Sequence, residues 1–279
     1  MDKLARKYAR LEGIIGSYGS LLVAYSGGVD STLLLKAASN VMGKNVLAVK
    51  ATSAIHPREE LSFAKNTARL IGARLLIVKT DELSDRRFVR NLPDRCYRCK
   101  RRLILKLNAV ARREKMARVA VASHLDDLKD YRPGDRAVCE MGVVSPLKLA
   151  GFTKKDVRRL SRRLGLPGWD REAMACLASR IPYGERIDEE KLERVARAER
   201  FLRGRGFKTV RVRCPGGHAR IEVEAAQIGR FRDVLLRSEI VRKLKGLGFP
   251  SVSIDLEGYR MGSLNYGVKL KVKGRKSDV

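Results

Sequence analysis

What this sequence has little of narrows it first. No apolar run reaches the roughly 18 residues that a membrane-spanning helix needs. The amino-terminal MDKLARKYARLEG is charged and helical in pattern, without the apolar centre of a secretion signal. A cytoplasmic location and no membrane partner are the expectation. Aromatic residues make up only 6%, few for a surface that recognises nucleic acid by stacking on bases. Acidic residues are outnumbered: 31 Asp and Glu stand against 60 Lys and Arg, a net charge of +29. Such an excess draws polyanions, whether nucleic acid, nucleotides or phosphorylated small molecules. The basic residues also spread along the whole chain, many as RR or KK pairs, so surface solvation accounts for the charge equally well. The three histidines, His56, His124 and His218, show no ligand spacing, and each is expected on a loop surface. The five cysteines, Cys96, Cys99, Cys139, Cys176 and Cys214, are odd in number. In an intracellular chain that argues against disulfides and for metal binding or thiol chemistry.

The 279 residues are enough for two domains, and 44% of them are hydrophobic, enough for a sizeable core. A lead-in helix is predicted over 3–15. Strands are then predicted at 20–25, 45–51, 73–79 and 117–123, with helices over 31–42, 57–71 and 98–115. Short apolar strands alternating with helices predict an α/β domain with a parallel sheet covered on both faces. Ligands of such sheets bind beyond the carboxyl ends of the strands. From about residue 165 the pattern changes. Residues 164–186, LGLPGWDREAMACLASRIPYGER, read as a long ordered loop. Asp188 then caps a helix, FKTVRVR (207–213) and ARIEVE (219–224) form a hairpin around PGGH, a helix covers 228–245 and a last strand 251–256. The expected organisation is a nucleotide-binding domain over 1–165, an active-site loop over 166–186 and a smaller C-terminal α+β domain over 187–279.

The first strand runs into Ser26-Gly27-Gly28-Val29-Asp30-Ser31-Thr32. Two glycines let backbone approach a ligand closely, and the helix that follows offers unpaired N–H groups and the positive end of its dipole. The hydroxyls of Ser26, Ser31 and Thr32 add donors. The set suits a phosphate. Neither GxxxxGK[ST] nor GxGxxG occurs, which excludes a kinase-type phosphate loop and a dinucleotide fingerprint. SGGVDS after a first strand resembles the PP-loop ATP pyrophosphatases. That resemblance implies a doubly wound parallel sheet of the adenine nucleotide α-hydrolase kind and cleavage of ATP between its α and β phosphates. It places adenine and ribose near Ala51, Thr52 and Ser53, with Ser123 over the same crevice. Asp126 and Asp127, with Asp130 nearby, suit either Mg²⁺ on the ATP phosphates or the capping of a loop.

Three further stretches, PDRCYRCK (93–100), HLDDLKDYRPG (124–134) and ACLASRIPYGE (175–185), together with LEGYRMGSLN (256–265), resemble the LarE-type sulfur transferases along nearly the whole chain. That family implies adenylation of a carboxylate on a pyridinium mononucleotide and its conversion to a thiocarboxylate, in a hexamer. It gives Cys176 one of two roles: a sulfur donor left as dehydroalanine, or, with Cys96 and Cys99, a ligand of a [4Fe-4S] cluster whose fourth iron carries hydrosulfide. The presence of Cys96 favours the cluster. Arg211 and Arg213 share one face of a strand and are expected either to hold the substrate phosphate or to form ion pairs on a solvated edge. Cys139 and Cys214 are expected to be core or semi-buried thiols. Three other readings remain open. One is a PP-loop enzyme that modifies tRNA, another a non-catalytic module that binds ATP or an iron–sulfur cluster. The third is the same chemistry on a different nucleotide.

Overall fold

The computed structural model describes residues 2–129, 133–171 and 175–260. In chain order, α1 (Lys3–Gly16), β1 (Leu21–Ala24), α2 (Val29–Met42), β2 (Val46–Thr52), α3 (Arg58–Ile71) and β3 (Arg74–Lys79) come first. They are followed by α4 (Arg86–Val89), α5 (Arg95–Arg113), β4 (Arg118–Ala120), α6 (Pro133–Glu140), α7 (Pro146–Leu149) and α8 (Lys154–Arg163). The remainder holds α9 (Glu189–Gly204), β5 (Val210–Arg213), β6 (Ala219–Val223), α10 (Val234–Gly246) and β7 (Val252–Ile254). The chain divides into two compact units, Met1–Thr80 with Cys96–Met174, and Asp81–Arg95 with Ala175–Val279. The short segment 81–95 thus clusters with the second unit, although in sequence it lies between the two stretches of the first.

The first unit is an α/β layer structure. Its four strands are all parallel in the order β3-β2-β1-β4. Strand side chains alternate between two cores because successive residues of a strand point to opposite faces. Leu21 and Val23 of β1 and Val46 and Ala48 of β2 pack with Leu11 and Ile15 of α1, Leu33 and Leu34 of α2, Ala64 of α3 and Leu160 of α8. Leu22, Leu47 and Val49 face the other way, onto Ile104, Leu107 and Val110 of α5 and Val138 of α6. Apolar burial on both faces explains why these strands read as continuous apolar runs rather than alternating ones. The arrangement is that of a Rossmann-like, doubly wound sheet. β4 is shorter than the 117–123 expected, yet the chain keeps pairing there: Val144 lies parallel to Ala120, and Val121 N–H donates to Val144 O at 2.9 Å.

The second unit holds a three-stranded sheet in the order β5-β6-β7, with β5 and β6 antiparallel and β6 and β7 parallel. Asp188 caps α9 by accepting the Lys191 N–H at 2.8 Å, as the sequence predicts. The single helix expected over 228–245 is two pieces. A 3₁₀ segment covers Ala225–Arg232, and Asp233 then restarts the chain as α10 by accepting the N–H groups of Leu235 and Leu236. A side chain able to satisfy orphan N–H groups competes with helix continuation, which is why Asp favours such starts.

Candidate functional site

In the first unit, the carboxyl ends of β1, β2 and β4 lie on one edge because the strands are parallel and in close register: Ala24 pairs with Val49, and Val23 with Ala120. That edge carries Ser26–Thr32, then Thr52 and Ser53, then Ser123. The turn after β1 is built by its own hydroxyls. Ser26 Oγ accepts the Gly28 N–H at 3.1 Å and lies 2.9 Å from Ser31 Oγ. Ser31 Oγ in turn donates to Gly28 O at 3.0 Å and accepts the Ser26 N–H at 3.2 Å. Gly27 has φ of +85°, and a Cβ there would lie 2.9 Å from Ala64 Cβ, so only glycine fits. Gly28 is the N-cap of α2 and gives it no side-chain cap, and the first-turn N–H groups of a helix have no intrahelical partner and suit an anion. Ser31 and Thr32 are buried, and so is Tyr25, its hydroxyl pushed up by burial despite Thr32 and Thr67 beside it.

Three residues outside the sequence-based site candidates complete this edge. Lys50, on β2, is 2% exposed, donates to Ser26 O at 2.7 Å and lies 3.8 Å from Glu60. Burial pulls its ammonium below the ordinary lysine range, and the Glu60 carboxylate only partly offsets that. A buried cation behind a phosphate-type turn stiffens the loop and adds positive potential to it. Lys154, at the start of α8, meets Asp30 Oδ2 at 2.5 Å. His124 corrects the loop-surface expectation: it is buried, its Nε2 3.8 Å from Asp30 Oδ1 and 3.6 Å from Asp127 Oδ1. In sequence, a lysine inside an apolar strand run was the one available signal for Lys50. Nothing local marks Lys154, because its partner Asp30 is over 90 residues away; for His124 the local partner Asp127 was legible, but its burial and the approach of Asp30 were not.

The two acidic residues after β4 are engaged with backbone. Asp127 Oδ2 accepts the His124 N–H at 3.0 Å, and Asp126 Oδ2 accepts the Lys154 N–H at 2.8 Å. They therefore tie the 3₁₀ turn Leu125–Lys129 to itself and to α8. Asp130 lies outside the described residues. Cys96 and Cys99 lie within the first five residues of α5, Cys96 exposed and Cys99 half-buried. Cys176 is half-buried and belongs to the other unit. Among the described residues, no three His, Cys, Asp or Glu side chains are grouped closely enough to hold a metal ion. The chemistry of three thiolates suits an iron–sulfur cluster. Cys139 is exposed, which corrects the core or semi-buried expectation; Cys214 is buried, and burial raises its thiol. His218 is exposed in its turn, as expected, and His56 Nδ1 lies 3.1 Å from Ser53 Oγ.

In the second unit, Cys176 precedes the 3₁₀ turn Leu177–Arg180. Arg180 and Glu199 are both fully buried and paired through two bonds of 2.7 and 2.9 Å. Burial works against charge on each, but each is the other's counter-ion. Glu199 is held below the ordinary carboxylate range, with Arg211 and Arg203 adding to Arg180, and Arg180 is held above the ordinary guanidinium range. Glu199 Oε1 also accepts the Val212 N–H at 3.1 Å. Arg211 and Arg213 do share a face of β5, opposite Glu222 and Arg220 of β6. Both are buried, so the ion pairs found there are not those of a solvated edge. Arg213 pairs with Glu222 at 2.8 Å and donates to Ser179 O at 2.8 Å. The Arg211 guanidinium lies over the Tyr259 ring at 5.0 Å.

No protein-family model matches this chain. Three curated proteins do resemble it along most of its length. An uncharacterized protein of Synechocystis sp. is 43% identical over 94% of this chain and 98% of its own. The pyridinium-3,5-bisthiocarboxylic acid mononucleotide synthase of Lactiplantibacillus plantarum is 40% identical over 95% of this chain and 96% of its own. An uncharacterized protein of Methanocaldococcus jannaschii is 30% identical over 86% and 90%. Identity at this level across two whole chains fixes family membership, and this chain belongs to the LarE-type sulfur transferases.

Proposed function

We propose that the protein is an ATP-dependent sulfur transferase that converts a carboxylate of a pyridinium mononucleotide to a thiocarboxylate. The observation that carries the reading is the 40% identity, over nearly all of both chains, to a pyridinium-3,5-bisthiocarboxylic acid mononucleotide synthase. The chemistry needs an activating step because a carboxylate has no good leaving group. The substrate carboxylate oxygen attacks the α-phosphorus of ATP, pyrophosphate leaves, and the acyl carbon becomes open to a sulfur nucleophile, with AMP departing. The glycine turn at 26–31, its hydroxyls and the Lys50 charge behind it support the first unit as the place of adenylation. Thr52, Ser53 and Ser123 remain our candidates for the rest of the nucleotide, and Asp126 and Asp127 for an associated Mg²⁺. Arg211 and Arg213 remain candidates for the substrate phosphate, provided that Arg213 can exchange part of its bonding to Glu222.

Delivery of sulfur is assigned to Cys176. With its own sulfur as the donor, the Cys176 thiolate displaces AMP to give a thioester. Loss of its Cα proton then breaks the Cβ–S bond, releasing the thiocarboxylate and leaving dehydroalanine. A [4Fe-4S] cluster on Cys96, Cys99 and Cys176 would instead supply hydrosulfide repeatedly, and those three thiolates are the residues that would hold it. Anaerobic reconstitution separates the two. Iron and sulfide bound in the wild type but lost in Cys96→Ala, with many turnovers, supports the cluster. Iron-free protein that loses the elements of hydrogen sulfide in one turnover supports the sacrificial route. An oligomer, a hexamer by family resemblance, belongs to the same proposal.

A further inference from the structure

Glu199 and Arg180 have no exposed surface at all. A buried ion pair is a poor way to fill a core, since apolar side chains of similar volume usually serve stability as well or better. What an apolar pair cannot do is gather polar backbone. Arg180 Nη1 donates to Ala175 O at 2.7 Å, to Cys176 O at 3.1 Å and to Ser179 Oγ at 2.9 Å, while Nε and Nη2 hold Glu199. Ser179 N–H and Oγ both donate back to Cys176 O, at 3.0 and 2.8 Å. The neighbouring acceptors are taken as well. Arg95 donates to Ala178 O at 2.8 Å, Arg213 to Ser179 O at 2.8 Å, and the Cys214 N–H to Arg180 O at 2.8 Å. The carbonyl of Cys176 is thus fixed by three donors, and the planar guanidinium of Arg180 links it to α9, and through Glu199 to β5.

We infer that Arg180 is a positioning residue for Cys176: through Glu199 it anchors the backbone of residues 175–180 to α9 and β5, so that the thiol is presented in one direction. Lysine has a single ammonium and cannot hold Glu199 and these acceptors together. The inference deepens the proposed sulfur transfer and rests on it for its consequence, while the anchoring itself is independent of function. Three full-length proteins test it: wild type, Arg180→Lys, and the double variant Arg180→Met with Glu199→Gln, which removes both charges of the buried pair together if the lysine variant fails to fold. Hydrogen exchange is read at the Ser179 and Ile181 amides. Pyrophosphate release and sulfur transfer are read separately in one turnover with ATP and the pyridinium dicarboxylate mononucleotide. In the variants we expect faster exchange at those two amides with α9 still protected. Pyrophosphate release should stay within a few-fold of wild type, and sulfur transfer should fall on the order of 10²-fold, as displaced reacting groups do. Wild-type exchange and transfer in a folded variant would overturn the inference, as would equal losses in both chemical steps. A wild type that releases no pyrophosphate would overturn the proposed function instead, and the exchange result would still decide the anchoring.

Discussion

Gly27 sits where backbone shape and a close neighbour coincide. Its φ is +85°, and the added methyl of Gly27→Ala would meet Ala64 of α3 at 2.9 Å. A non-glycine residue in the left-handed region costs about 1–3 kcal/mol before any clash. Gly27→Ala is expected to lower the unfolding free energy, read from denaturant titration, by at least that amount and to weaken ATP binding measured by calorimetry. Glu199 gives a prediction with a sign. Its folded carboxyl lies below the ordinary range because Arg180 outweighs burial. The unfolded chain therefore binds the extra proton first as pH falls, so the contribution of Glu199 is complete above the ordinary carboxylate pKa of about 4.3. It is lost as pH falls through the folded value. In acid denaturation, the double variant Arg180→Met with Glu199→Gln should lose stability less steeply than wild type below about pH 5. Equal slopes would show that Glu199 does not carry this charge.

The start of α8 shows how capping reaches the candidate site. Thr153 Oγ1 accepts the Asp156 N–H at 3.2 Å, and Asp156 Oδ2 accepts the Thr153 N–H at 3.0 Å, a reciprocal box. The next residue, Lys154, contacts Asp30. Thr153→Ala should cost about 1 kcal/mol, a fall in Tm of about 2–4 °C in a thermal melt. Elements of this kind were legible in the sequence to the extent that their signals are local. The strand–glycine–helix junction at 21–32 and the Asp188 cap were read from neighbouring residues and stand where expected. The break at Asp233 was missed because apolar spacing continues across it while a single cap decides the matter. His124, Lys50 and the Arg180–Glu199 pair were missed for the opposite reason. Their partners come from other elements, and a buried charge shows itself only once the fold has closed around it. The face shared by Arg211 and Arg213 followed from strand alternation, but their burial did not, because it depends on what covers β5.

The residues we propose for the two chemical steps fall in two units of the chain. The parallel sheet of the first unit presents the glycine turn; the second unit contains Cys176 just before the 3₁₀ turn Leu177–Arg180, and Arg211 and Arg213 on β5. Among the described residues, no helix is long and apolar enough to cross a membrane. The central claim is that ATP is split at its α-phosphorus so that an acid can accept sulfur. Chromatographic identification of the nucleotide products, after one turnover with ATP and the pyridinium dicarboxylate mononucleotide, tests it most directly. AMP and pyrophosphate, formed together with a thiocarboxylate, is the predicted result; ADP and orthophosphate would contradict it.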